Sequence, residues 1–204
     1  MIKRELCNHA GLENITLPQK SLTMPHSTTE EKLWYVLRDL KRPNALLPAY
    51  KQLGEANIEV FTPMKWQVSE KNGKRIRRQV PFIQDLLFAH DSKQILDPII
   101  FQTDTLQYRF QKGAGYQEPM TVPTADMDRF IKAVLSTAQP QYYQPGEITP
   151  AMYGRAVHIV GGILDGYEGR LLKVKGSKKK RLIVDLPNLL ATAVEVESDY
   201  IQFV

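Results

Sequence analysis

The chain has 204 residues, 43% of them hydrophobic and 24% charged, with a formal net charge of +5. That composition describes a soluble globular protein of one large domain or two small ones, and no apolar stretch is long enough to cross a membrane. A single cysteine, Cys7, excludes an internal disulfide and a multi-cysteine zinc site, and the basic start lacks the apolar core of an export signal, so the expected location is the cytoplasm.

Residues 1–30 are polar and without period, which predicts a flexible leader. Cys7, His9 and His26 read as part of that leader rather than as metal ligands, and neither a metal nor a cofactor is expected. A domain over residues 31–137 follows. Residues 33–40 are rich in aromatic and branched side chains and predict a strand buried on at least one face. Asn44 is placed to cap a helix that carries Leu46, Leu47, Tyr50 and Leu53 on one side and ends near residues 54–57, with Pro48 held to its first turn. Residues 58–68 predict a long strand interrupted at Pro63, and Asn72 with Gly73 predicts a tight hairpin that returns along residues 74–80. Residues 86–89 predict a short central strand with Leu86 and Phe88 on the face opposite Leu87. A short helix over 92–100, cut by Pro98, and a strand over 106–111 come next. Thr124 then caps a helix whose Met127, Phe130, Ile131, Val134 and Leu135 form one apolar stripe, the mark of a core-facing helix.

Residues 138–150 hold three prolines, a glycine and three glutamines, and predict an extended linker. In the second domain, 151–204, strands are expected at about 155–160, 169–175, 181–186, 192–196 and 199–203. A unit this small must close its sheet to bury enough surface, so the pattern predicts a five-stranded SH3-like barrel around Val157, Ile159, Leu171, Val174, Ile183, Val194 and Ile201. The expected class is therefore α+β: an α/β sandwich with a mainly antiparallel sheet, strands in one layer and helices in the other, linked to a small barrel.

Charge is unevenly placed. Residues 65–78 hold Lys65, Lys71, Lys74, Arg75, Arg77 and Arg78 against one acid, Glu70; residues 170–181 hold seven basic residues and no acid. Such clusters on hairpin tips reach phosphates without disturbing a core, and they serve equally as solvated loops. His90 with Asp91, and Asp126 with Asp128, do not bring a nucleophile, a base and an orienting group together, so no enzyme is expected.

One motif stands out: Gly154-x-x-Val157-x-Ile159-x-x-Gly162-x-x-x-Gly166-x-x-Gly169, a strand, a glycine-punctuated turn and a second strand. It resembles the KOW motif of NusG-like transcription elongation factors and of some ribosomal proteins. Trp34 to Leu37, Ile58 to Met64, and Val80 to Phe82 leading into Leu86, Leu87 and Phe88 resemble the NusG N-terminal (NGN) domain in order and spacing. The run Phe61 to Met64 and the stretch Glu168 to Gly176 are most similar to the UpxY-type antiterminators of capsular polysaccharide operons.

That resemblance implies a non-enzymatic, monomeric factor. It would bind the clamp helices of the largest RNA polymerase subunit through Trp34, Tyr35, Phe61, Phe82, Leu86 and Phe88, suppressing pausing and termination. Lys71, Lys74, Arg75, Arg77 and Arg78 would face upstream or non-template DNA, and nascent RNA is a further expected partner; Arg109 and Gln79 are among the side chains that would supply any base contact. Two departures bear on this. Ile83, Gln84 and Asp85 stand where the family carries an aromatic-bearing run, and Ile163 and Leu164 replace a proline and an aromatic through which housekeeping members contact Rho and the ribosome. Two alternatives remain open: an RNA- or ribosome-binding KOW protein, and a general housekeeping elongation factor.

Overall fold

Both residue parities of the first strand are apolar, and this decides the architecture of the N-terminal half. In the computed structural model, which describes residues 31–41, 47–111, 113, 115 and 117–204, β1 (Leu33–Asp39) sends Trp34 and Val36 to one face and Tyr35 and Leu37 to the other. All four are buried. The chain continues through α1 (Ala49–Glu55), β2 (Glu59–Phe61), β3 (Met64–Lys71), β4 (Lys74–Pro81), β5 (Leu86–Asp91), α2 (Lys93–Gln102), β6 (Leu106–Tyr108), β7 (Thr121–Val122) and α3 (Thr124–Leu135). The antiparallel sheet runs β2-β5-β1-β6, with β7 also paired to β1. β5 opposes β1 in register, Val36 against Phe88 and Leu37 against Leu87, so Leu86 and Phe88 share the Trp34 face while Leu87 and Ala89 share the Tyr35 face.

With neither face of the sheet able to meet water, helices cover both, where the sequence pattern predicts a single helical layer. Ala49, Leu53, Leu96 and Ile100 of α1 and α2 pack on Tyr35, Leu37 and Leu87. Met127, Phe130, Ala133 and Val134 of α3 pack on Trp34, Val36, Leu86 and Phe88. Asn44 and Leu46 lie outside the described residues, as does the leader. The described part of α1 begins after Pro48, and Asn57 takes a left-handed φ of 58° that lets Ile58 N–H reach Leu53 O, closing the helix.

Four local expectations are corrected. Helix α2 runs through Pro98 to Gln102, because Leu96 and Ile100 share one buried face across the proline. Pro123 precedes α3 and Thr124 is its first helical residue, making no side-chain cap bond. Leu135, expected in the stripe, is 75% exposed, and Ala133 takes its place. Val174 lies in the loop beyond its expected strand and is likewise exposed.

The C-terminal strands are β8 (Gln141–Tyr143), β9 (Tyr153–Ile159), β10 (Glu168–Leu172), β11 (Arg181–Leu186), β12 (Leu190–Glu195) and β13 (Ile201–Phe203), in the order β13-β9-β10-β11-β12-β8. The first of these comes from the segment read as linker, where Tyr142 is buried opposite Thr192. Among the described residues no ladder joins β13 to β8, so the sheet is six-stranded and open where a closed five-stranded barrel is expected. Its apolar face is covered another way. Val157, Ile159, Leu182, Val184 and Val194 belong to the same continuous core as α3 and the Trp34 face of the first sheet.

A core shared in this way couples the two halves. Deleting the Phe130 ring opens a cavity in that shared core, and Phe130→Ala is expected to cost about 3–5 kcal/mol. Calorimetry of the wild type should show one cooperative endotherm, moved downward as a unit in the variant; two separable endotherms would contradict a shared core.

Candidate partner and nucleic-acid interface

The strands β3 and β4 leave the sheet and pair only with each other, from Met64 opposite Pro81 to Lys71 opposite Lys74. Asn72 and Gly73 turn the hairpin with φ of 52° and 71°, the double left-handed pair that a two-residue turn requires. Strand alternation splits its charges. One face carries Trp66, Val68 and Glu70 with Gln79, Arg77 and Arg75; the other carries Lys65, Gln67 and Ser69 with Val80, Arg78 and Ile76. Trp66 is 44% exposed, and the Arg77 guanidinium lies 4.2 Å from its ring centroid. The expected cations of the hairpin therefore do not form a single patch: Arg75 and Arg77 sit with the tryptophan, while Arg78 and Lys65 face the opposite way. Lys71 and Lys74 pair at the tip.

Each face of the hairpin root opens onto a cleft. The first, about 560 Å³, is walled by Phe61, Trp66, Val134, Leu135 and Tyr142. Its apolar wall is fixed from beneath: Phe61 meets Phe130 edge-on at 6.1 Å and Phe88 at 6.3 Å, and the Tyr142 ring lies 5.2 Å from Phe82. Burial raises the Tyr142 phenol to about 12, against the opposing hydrogen bond to the Met64 backbone, so the ring stays neutral at any physiological pH. The second cleft, about 520 Å³, carries Lys41, Lys51, Lys65 and Arg78 with one carboxylate, Asp39. That carboxylate is committed to the backbone N–H groups of Lys41 at 2.9 Å and Ala49 at 2.7 Å, which leaves the cleft net cationic. Sequence reasoning missed Lys41 and Lys51 because they are remote from the hairpin in the chain; only the fold, which brings the residues after β1 and the first turn of α1 to the same cleft as β3 and β4, places them there.

Of the six expected docking residues, Trp34, Leu86 and Phe88 lie in the core under α3, and Tyr35 lies in the core on the other face. Phe61 and Phe82 are partly buried, and each reaches a cleft. The unexpected Asp85 has a structural role. It accepts from Arg38 Nε at 3.2 Å and Arg109 Nη2 at 3.2 Å, bridging β1 to the residue just after β6. Arg109 is thereby engaged within the chain.

In the second half, Gly154 and Leu171 approach so closely that a Cβ on Gly154 would fall 2.8 Å from Leu171 O. Gly162 and Gly166 take φ of 71° and 78° in the turn after β9, Leu164 turns into the core, and Ile163 points out. Val157 and Ile159 are core, and Gly169 packs against Leu182. Tyr167 pins this turn to α3: its hydroxyl donates to Arg129 O at 2.9 Å, and the Arg129 guanidinium lies 5.1 Å from its ring. Burial raises the Tyr167 pKa, and the Arg129 charge works against it.

Residues 32–131 match the family model described as "Transcription termination factor nusG". This stretch is a NusG family domain. It contains α1, α2, the first sheet, the whole hairpin and α3 as far as Ile131, so both clefts lie on or beside the NusG domain. A solved structure titled "Domain interaction in Thermotoga maritima NusG" is similar at 11% identity, covering 85% of this chain and 98% of that one with a TM-score of 0.44, too low to bear on fold or function. No curated protein matches the sequence.

The Asp85 bridge in the NusG domain is partly exposed and so modest in value. Asp85→Ala is expected to lower stability by about 1 kcal/mol or less in dilute buffer, and urea titrations at 1 M salt should find most of that difference gone.

Proposed function

We propose that this chain is a NusG-like transcription factor that binds elongating RNA polymerase and promotes processive elongation and antitermination on particular operons, such as those for polysaccharide biosynthesis. The observation that carries the reading is the NusG family domain at residues 32–131. The geometry supplies a docking surface in keeping with it. A helical partner such as a polymerase clamp helix needs an apolar groove with large anchors, and the cleft walled by Phe61, Trp66, Leu135 and Tyr142 offers one. On this reading Trp34, Leu86 and Phe88 hold the groove's floor from within the core, Tyr35 braces the sheet behind them, and Phe61 and Phe82 reach the surface beside the partner.

The hairpin beside the groove would then approach upstream or non-template DNA. Lys71, Lys74, Arg75, Arg77 and Arg78 position it on phosphates without reading sequence. Restriction to particular operons is supported by the run Phe61 to Met64 and by Ile163 and Leu164, which stand where coupling to Rho or to a ribosome would call for a proline and an aromatic; Leu164 is an aliphatic side chain turned into the core. The protein acts as a monomer in this scheme.

Co-precipitation of core RNA polymerase with the full chain tests the docking surface. Trp66→Ala and Leu135→Asp replace exposed side chains and should change stability by no more than about 0.5 kcal/mol. Each is expected to reduce capture at least tenfold. Capture unchanged in both places docking elsewhere, and no capture by the wild-type chain overturns the reading.

Transcript profiles after deletion test the breadth of action. Loss of distal transcription in one or a few long operons is expected; a general fall in elongation would instead mark a housekeeping factor.

A further inference from the structure

We infer that the second cleft at the hairpin root is a binding site for a small organic anion of the nucleoside diphosphate class. The cleft has two walls. Pro48 with Tyr50 and Lys51 of the first turn of α1 forms one, and Lys65 and Gln67 of β3 with Arg78 and Gln79 of β4 form the other. The buried Leu86 and Leu87 lie at its floor. Its volume of about 520 Å³ falls within the roughly 300–1,000 Å³ of sites that enclose a small molecule.

The cations of this cleft converge and are left unneutralised. Asp39, the one carboxylate among the lining residues, is occupied by two backbone N–H groups. Lys41 is held in place by neutral acceptors, Leu47 O at 2.9 Å and Gln52 Oε1 at 2.8 Å, so it keeps its charge at a fixed position. Among the described residues, Lys51, Lys65 and Arg78 form no ion pair, and the sequence from Lys41 to Gly54 contains no acid that would supply one. Lys65 lies 5.2 Å from the Phe82 ring centroid, and an aromatic ring positions a cation without cancelling its charge. Gln67 stands opposite Arg78 and Lys65 opposite Val80, which makes Lys65 and Arg78 diagonal neighbours on one face, within reach of the same small anion.

Lys51, Lys65 and Arg78 match the charge of a diphosphate ester, which carries about three negative charges at neutral pH. The remaining groups suit what a nucleoside adds to it. Gln67, Gln79 and Gln84 line the cleft and make no side-chain hydrogen bond among the described residues, leaving amide donors and acceptors for a base and a ribose. Thr62 lines it too, and its hydroxyl is buried without a partner. Pro48, Tyr50 and Pro81 supply apolar surface for a planar ring. A polynucleotide spreads its charge along its length and follows an open surface. Here cations on two walls face one enclosed volume, which favours charge concentrated on two adjoining phosphates. The inference does not rest on where polymerase docks, because Trp66 and Leu135 do not line this cleft.

Isothermal titration calorimetry of the full chain in metal-free, low-salt buffer with ADP, GDP, AMP and inorganic pyrophosphate tests it. At least one of the two nucleoside diphosphates is expected to bind at sub-millimolar concentration, with AMP and pyrophosphate each about tenfold weaker, since each lacks part of the charge-assisted or base contacts. Lys51→Ala and Arg78→Ala truncate exposed side chains on opposite walls, and each should weaken diphosphate binding about tenfold. Lys74→Ala with Arg75→Ala, at the hairpin tip outside the cleft, should leave it unchanged. The inference is overturned if neither ADP nor GDP binds, if AMP or pyrophosphate binds as tightly, or if Lys51→Ala has no effect. It is also overturned if the tip substitutions weaken binding as much, or if a short DNA duplex at equal concentration displaces the nucleotide, which would make the cleft a nucleic-acid contact. Polymerase capture by the Lys51→Ala chain is expected to stay at the wild-type level, and nucleotide binding by the Trp66→Ala chain likewise, so failure of either reading is distinguishable from failure of the other.

Discussion

Helix α3 is buried by two sheets at once, and the rest of the molecule is arranged around that constraint. Its Met127, Phe130, Ala133 and Val134 belong to one core with Trp34 and Phe88 on one side and Leu182 and Val184 on the other. Because the helix covers the apolar face of the C-terminal sheet, that sheet can stay open; closure into a barrel would be needed only if it had to hide its face alone. The same burial fixes Phe61 and Tyr142 at the groove beside the hairpin, since Phe61 rests on Phe130 and Tyr142 comes from a strand added to β12. Surface chemistry on the NusG domain thus inherits its geometry from a helix that contacts both halves.

A second arrangement separates kinds of binding surface. The hairpin β3–β4 is detached from the sheet, so its charged and aromatic residues carry no packing duty and its two faces meet different clefts. Trp66 shares its face with Arg75 and Arg77, while Arg78 lines the second cleft and Lys65 reaches both. At the far edge of the molecule a concave surface with Phe203, Arg155 and Lys180 combines aromatic and cationic groups in one place. Three surfaces of different character follow from one hairpin and one bulged strand pair, β9 with β10.

Much of this was legible from local pattern. The hairpin turn at Asn72 and Gly73, the break at Pro63, the opposite faces of Leu86 and Leu87, and the apolar stripe of α3 are written in spacing and turn chemistry. What escaped depends on partners distant in the chain. Tyr142 lies in a stretch with the composition of a linker, yet it becomes a strand because β12 offers an unpaired edge and the Phe82 ring offers a partner. Pro98 reads as a helix end, and tertiary burial of Leu96 and Ile100 carries the helix past it. Aromatic identity marked Trp34 and Phe88 as candidates for the surface, but identity does not distinguish a floor from a wall. Asp85 looked like a foreign charge until Arg38 and Arg109 came into place beside it. Lys41 and Lys51 gave no signal at all, because only the fold sets them opposite Arg78.

The open sheet and the free hairpin leave several strand edges with unpaired backbone groups, the kind of template on which a second chain can add a strand. Here β8 and β13 are three residues long, and β13 ends under the Arg155 and Lys180 charges. The hairpin edges are longer, at eight residues each; β4 carries Lys74, Arg75, Arg77 and Arg78, and β3 carries Lys65 and Lys71 near its two ends. Those basic side chains therefore have a duty apart from any ligand: they repel a like-charged copy and keep the edges from zipping together. A chain stripped of them would lose colloidal stability before it lost its fold, and aggregation at the hairpin would accompany any weakening of nucleic-acid contact.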